Sequence, residues 1–290
     1  MSRCARRFGL LLLVAVLAPA ARADGLVWAL KGERNTVYLA GSVHLLKRDD
    51  AVLPPSLDKA YADADALVME IDLDDLDPVE AANWMLQRGT FADGATLRET
   101  VGEARHRRVA AAANELGLPI EGVQQFEPWA VALTLAQLAY ARAGFDAESG
   151  VEKQLERRAR RDGKEITGLE TIADQLGVLD ALSLEEQSSF LDQTIGELGD
   201  VEAETRELFA AWRAGDERRL AKLLTEDFDG FAGLYDALVK ERNARWLPQI
   251  ERLLRADRDY LVVVGALHLV GDEGLIELAR ARGLKPAPLR

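Results

Sequence analysis

One cysteine and three histidines occur in 290 residues, and aromatic residues make up only 6%. A lone cysteine closes no internal disulfide and builds no thiolate zinc site, so neither can hold this fold together. Three histidines leave few positions for imidazole chemistry. A basic surface is also missing. The formal charge of −13 leaves nothing to offset phosphate repulsion, which excludes a general nucleic-acid binder. The chain is otherwise of ordinary globular composition, 48% hydrophobic and 29% charged, and long enough to bury a sizeable core.

The single cysteine, Cys4, belongs to a segment that reads as processing rather than fold. Arg3, Arg6 and Arg7 precede an apolar run from Phe8 to Ala20, and Ala21-Arg22-Ala23 follows. A basic start, a short hydrophobic stretch and an A-x-A site describe a secretory signal peptide over residues 1–23. The run falls short of the roughly 20 apolar residues of a membrane span, and an uncleaved membrane anchor is the competing reading. Cleavage there removes Cys4 and four arginines, and leaves a cysteine-free chain that suits an oxidising compartment. The expectation is an exported protein, most simply periplasmic, with no stable membrane span.

Beyond the leader, two β-like regions flank a long helical section. Leu26–Leu30 and Thr36–Ala40 surround a Gly32–Asn35 turn, a hairpin signal. A helix is expected over Ser56–Ala64 and a buried strand over Ala66–Asp72. From Pro78 to about Asp257 nearly every segment carries helical spacing, including a capping box formed by Ser183 and Glu186. Lys164–Leu169, after the helix-ending Gly163, reads as one strand within it. Tyr260–Val264, uncharged and β-branched, suits a central strand. A helix over Asp272–Arg282 and a final strand within Leu284–Leu289 complete the reading.

The two ends echo each other. Strand Thr36–Ala40 leads into Gly41-Ser42-Val43-His44, and strand Leu261–Val264 leads into Gly265-Ala266-Leu267-His268. Each continues through a helix toward another strand, a βαβ-like unit. The spacing therefore predicts an α/β (α+β) fold: a central mixed sheet built from two strand–GxxH–helix–strand units, with a large helical insertion. The sheet core is expected in residues 24–77 and 259–290, and the helical section in 78–258, as one unit.

Glycine at each strand end permits a sharp bend or a close approach, and each histidine then projects from the carboxyl edge where α/β sheets bind ligands. If the units pack side by side, His44 and His268 converge. Glu70 and Glu170 also fall at carboxyl ends of expected strands. Two imidazoles and one or two carboxylates form the ligand set of a first-row divalent metal, or a general acid/base pair. Competing with this, each carboxylate is equally suited to capping backbone or pairing with arginine. Arg242 and Asn243 lie on the helix before the His268 strand. There Arg242 suits an anionic substrate group, a developing oxyanion, or a plain salt bridge. His106, in the run Glu103-Ala104-Arg105-His106-Arg107-Arg108, reads as solvated. So does the cluster Arg157-Arg158-Ala159-Arg160-Arg161.

An ordered series of motifs resembles the TraB/GumN family. It comprises Gly41-Ser42-Val43-His44, Gly144-Phe145-Asp146, Gly168-Leu169-Glu170-Thr171 with Gln175, Trp212-Arg213-Ala214-Gly215-Asp216, Arg242-Asn243 with Trp246, and Gly265-Ala266-Leu267-His268 through Gly274-Leu275. That family includes Tiki-type metalloproteases and is distantly similar to erythromycin esterases. The resemblance implies a divalent-metal-dependent hydrolase, most simply a peptidase. His44, His268 and Glu70 or Glu170 would hold a divalent cation (Mn, Co or Zn), the other glutamate would move a proton, and Arg242 would stabilise charge. A peptide or small molecule would be the substrate. Two alternatives stand beside it: a ligand-binding protein for a peptide or haem-like molecule, and a metal-free esterase with histidine as base. No G-x-S-x-G occurs, so a serine hydrolase of that type has no support.

Overall fold

A computed structural model describes residues 25–72, 78–199, 201–226, 228 and 231–290. The expected leader lies outside the described residues. In chain order the strands are β1 (Val27–Lys31), β2 (Thr36–Ser42), β3 (Leu46–Lys47), β4 (Ala66–Ile71), β5 (Phe145–Asp146), β6 (Glu165–Glu170), β7 (Tyr260–Gly265) and β8 (Ala287–Pro288).

The uncharged run of β7 explains the sheet around it. Leu261 through Val264 are fully buried, because strands flank β7 on both edges and helices cover both faces. The sheet order is β6-β4-β7-β2-β1-β8. Strands β6, β4, β7 and β2 run parallel, whereas β1 pairs antiparallel with both β2 and β8. Hence β8 points the same way as β7, and β1 alone runs against the rest. The fold is mixed α/β with a six-stranded sheet.

Both GxxH units share this sheet, interleaved rather than merely adjacent. The first leaves β2 and returns as β4 beyond β7. The second leaves β7 and returns as β8 beyond β1. The final strand is only two residues long, because Pro286 and Pro288 lack the N–H groups a longer pairing needs and so confine it to an edge. Strand β6, encoded within the helical section, closes the opposite edge. The two-residue strands β3 and β5 pair with each other outside the main sheet.

The helical section builds its own apolar cores. Leu97, Val101 and Val109 meet Val131, Leu135 and Leu191 from the helices Leu97–Glu115, Pro128–Arg142 and Leu184–Glu197. The capping box of Ser183 and Glu186 forms, and Thr96 with Glu99 and Thr171 with Asp174 repeat it. His106 corrects the sequence reading: it is buried, and its Nε2 accepts from Gln124 Nε2 at 2.5 Å. Three and seven residues before Val109 and Ala113, it shares their inward face, while Arg105 and Arg108 reach outward to Asp192. The run of charge masked one inward position. Among the described residues, no helix is long and apolar enough to cross a membrane.

Candidate functional site

Parallel pairing aligns the carboxyl ends of four strands. Ser42 lies opposite Gly265 in the β2–β7 register, Met69 opposite Val263 in β4–β7, and Ile71 opposite Glu170 in β4–β6. His44, His268, Glu70 and Glu170 therefore emerge along one edge.

Gly265 marks the point where three of them meet. Its backbone is ordinary, with φ −51° and ψ 140°, so the glycine serves space rather than a turn. A Cβ built there would lie 3.3 Å from Glu70 Oε1, 3.3 Å from His44 Nε2 and 3.7 Å from His268 Cδ2. The Gly265 N–H donates to Glu70 Oε1 at 2.6 Å.

Each histidine is oriented through its Nδ1. Asn243, fully buried, accepts from His268 Nδ1 at 2.8 Å and fixes itself by donating to the carbonyls of His268 and Glu273. That bond places the proton on Nδ1 and leaves a lone pair on Nε2. Burial pushes His268 down to about 3, and Arg242 adds to the effect against the pull of Glu70, so the ring is neutral. For His44 the orienting group is Glu152, whose Oε1 lies 2.7 Å from Nδ1 and also accepts from Ser42 Oγ. Attraction by Glu152 outweighs desolvation and raises His44 to about 9. The ring is 62% exposed, so solvent screens part of that attraction.

Glu152 reaches His44 because the helix Val151–Asp162 starts against the His44 loop. Val151 N–H donates to the Val43 carbonyl, and a Cβ on Gly150 would fall 2.0 Å from the His44 carbonyl oxygen. Glu152 had no role in the sequence reading, since an acid in a first helical turn is ordinary. Gln175 stood there only as part of a motif, yet its Nε2 donates to Glu70 Oε2 at 2.9 Å.

Arg242 ties the other half together. Its Nη2 donates to Glu70 Oε2 at 2.7 Å and to Glu170 Oε1 at 2.6 Å, and its Nε to Glu170 Oε1 at 3.0 Å. Nη1 donates to His268 Nε2 at 3.0 Å and to the Leu238 carbonyl at 3.2 Å. Leu238 lies in a five-residue π-helical stretch, Asp236–Lys240, just before the Arg242 helix. Trp246 packs beside both, 4.6 Å from the guanidinium and, tilted at 49°, 4.5 Å from the His268 ring, and donates to Glu170 Oε2.

The two carboxylates thus differ. Burial raises Glu70, but the charges of His268, His44 and Arg242 and the Gly265 amide bring it down to about 2. Because His268 is itself neutral, the charges of His44 and Arg242 and that amide carry the stabilisation near neutral pH. Burial raises Glu170 above the usual carboxylate range despite Arg242, and the charge of Glu70 adds to the rise. Glu70 borders the cleft at His44; Glu170 faces Arg242 and Trp246.

Both imidazoles keep Nε2 as the inward nitrogen and have Nδ1 held by an outer oxygen, the arrangement of metal-ligating histidines. Among the described residues, no three His, Cys, Asp or Glu side chains form a ready-made cation cluster. The guanidinium of Arg242 is the cation that His268 Nε2 and Glu70 Oε2 now contact.

A pH titration checks these assignments. In chelator-treated protein, NMR is expected to show His44 titrating toward pH 9 and His268 staying neutral well below 6.5. Glu152→Gln should return His44 toward its ordinary value. For stability, the His44–Glu152 pair contributes fully below pH 6.5 and is lost as pH rises through about 9. His268 works in the opposite sense. Its neutral burial contributes above 6.5, and that is lost as pH falls from there through about 3. A His268 signal that titrates normally near 6.5 would contradict the buried neutral ring.

A sheet whose carboxyl edge carries two GxxH histidines over a buried Glu–Arg–Glu network defines the class. The TraB/PrgY/gumN family model matches residues 26–288, and the chain belongs to that family. It is 27% identical over 277 residues to "Uncharacterized protein YbaP" of Escherichia coli (strain K12), and equally to the protein of that name in Shigella flexneri. Each match covers 93% of this chain and 99% of the relative.

Proposed function

We propose that the chain is an exported metal-dependent hydrolase, most simply a peptidase. The observation that carries this reading is the convergence of His44 Nε2, Glu70 Oε1 and the His268 ring at Gly265, with both Nδ1 atoms engaged elsewhere. The donor set fits a first-row divalent cation such as Mn, Co or Zn. His44 Nε2, Glu70 and His268 Nε2 would hold it, and for His268 the ion would take the place of Arg242 Nη1. Such an ion, when bound, polarises a carbonyl and makes hydroxide available near neutral pH.

The chain's own residues supply the rest. Arg242, held by Glu170 and Trp246, keeps a fixed positive charge beside the reacting point, where it would stabilise a developing oxyanion. Glu170 acts by positioning Arg242. Glu152 and Asn243 fix the two imidazoles. Gln175 and Gly265 N–H hold the Glu70 carboxylate in one orientation.

The test is metal content and hydrolysis measured together on the purified full chain, with a fluorogenic peptide library as substrate. Wild type is expected to retain a stoichiometric divalent metal and cleave peptides. His44→Ala and His268→Ala should each lower activity by at least about 10²-fold. Wild-type protein that holds no metal and hydrolyses nothing sinks the reading. One observation favours a metal-free variant of it. The His44–Glu152 pair is itself arranged as a general acid/base dyad, with Nε2 facing the cleft. Hydrolysis that survives complete chelation but is lost in Glu152→Gln would select it.

A further inference from the structure

His44 stands on a divide between two hollows of unequal size and character. The smaller, about 190 Å³, lies toward Glu70, Glu152, Lys153 and Gln175. The larger, about 360 Å³, shares His44, Arg242 and His268 with the site and then runs away from it over apolar walls. Leu45, Tyr140, Leu208, Phe209, Leu238 and Leu267 form those walls, and each is only half-buried. They come from separate elements: the loop after β2, helix Pro128–Arg142, helix Val201–Ala214, the π-helical stretch, and the second GxxH turn.

Apolar side chains from so many elements, only half-buried by the described residues around one concave volume, describe a binding pocket rather than an unfinished core. The volume falls within the range of small-ligand sites. One wall is braced: Tyr140 packs edge-on against Phe145 at 5.7 Å, and Phe145 against Phe209 at 5.6 Å. Among the described residues, apart from Arg242 and the two histidines at its mouth, no carboxylate, amine or guanidinium lines it. A charged group that passed beyond them would lose its hydration against walls that, among the described residues, are mostly apolar.

We propose that this larger hollow is the specificity pocket of the site, and that it takes a bulky apolar group of the substrate, an aromatic or branched aliphatic side chain adjoining the bond that reacts. The smaller hollow accommodates the slimmer continuation on the other side of His44. This assignment rests on the hydrolase reading for the word substrate, whereas the pocket's preference for apolar groups does not depend on turnover.

Binding and turnover are therefore measured separately on the full chain. Saturation-transfer NMR with chelator-treated protein compares N-acetyl-phenylalaninamide and N-acetyl-leucinamide with N-acetyl-glycinamide. The first two are expected to bind about 10- to 100-fold more tightly, the return on burying one large apolar side chain. Leu208→Trp, which fills the hollow without opening a hole, should bring that preference to within about threefold of unity. Phe209→Ala, checked for folding by its melting curve, should weaken the phenylalanine probe more than the glycine probe. Equal binding of all three amides, or a preference untouched by both substitutions, overturns the pocket. Fluorogenic peptides differing only at Gly, Leu or Phe supply the second arm. Selective binding without turnover, with or without added metal, leaves the pocket standing and removes the hydrolase. Turnover indifferent to side-chain size does the reverse.

Discussion

Arg242→Ala should lower stability by about 3–5 kcal/mol, the cost of removing one partner from a buried ion network. For a chain of this size that is a fall in melting temperature of roughly 6–20 °C. The guanidinium satisfies Glu70, Glu170, His268 Nε2 and the Leu238 carbonyl at once, and all four would be left in a pocket that water barely reaches. Arg242→Lys should recover only part, because a single ammonium cannot span two carboxylates and an imidazole in the fixed fork that arginine provides. Adding Glu70→Gln and Glu170→Gln to Arg242→Ala should restore much of the loss, since the penalty is stranded charge rather than lost attraction.

The pH dependence separates those two causes. In wild type the depressed Glu70 carboxyl contributes stability that is present above about 4.5 and lost as pH falls through about 2. Without Arg242 the carboxyls take up protons at higher pH, which relieves their isolation. The gap between Arg242→Ala and wild type should therefore narrow as pH is lowered. A gap that stays constant from pH 7 to 4 would mean that packing against Trp246, rather than charge, is what Arg242 contributes.

This network also shows which parts of the site were legible in the sequence. The two histidines were readable because each signal is local: a strand, a glycine and a histidine three positions on, written twice. Glu70 was readable as the end of a continuous buried run. Their partners were not. Glu152, 108 positions after His44, looks like any acid in a first helical turn, and it becomes the histidine's partner only because Gly150 lets that helix start against the His44 carbonyl. Arg242 and Glu170 were visible as residues, but their mutual pairing depends on β6 joining the sheet beside β4. His106 was hidden by its arginine neighbours, where helical phase outweighed local charge. Strands β3 and β5, two residues each, carry no periodicity to read.

Two glycines that look equivalent in the sequence should respond differently to the same added methyl group. At Gly41 a Cβ would lie 3.2 Å from Leu26 Cβ, 3.3 Å from Ala266 Cα and 3.3 Å from Leu269 Cδ1. Those are core and backbone atoms, so Gly41→Ala should cost about 1–3 kcal/mol by overpacking and reduce activity only as folded protein is lost. At Gly265 the contacts are equally close, but the neighbours are Glu70 Oε1 and His44 Nε2. The backbone there suits alanine, which reduces the freedom of the unfolded chain by about 0.4–1 kcal/mol and offsets the crowding. Gly265→Ala should thus melt within about 1 kcal/mol of wild type while kcat/KM falls roughly 10²-fold, because the methyl group occupies the point on which His44 Nε2 and Glu70 Oε1 converge. Metal retention should fall with it. If Gly265→Ala keeps both its activity and its metal, that point is not where the chemistry occurs, and the two GxxH turns would be left with the structural task of closing strands tightly over the core.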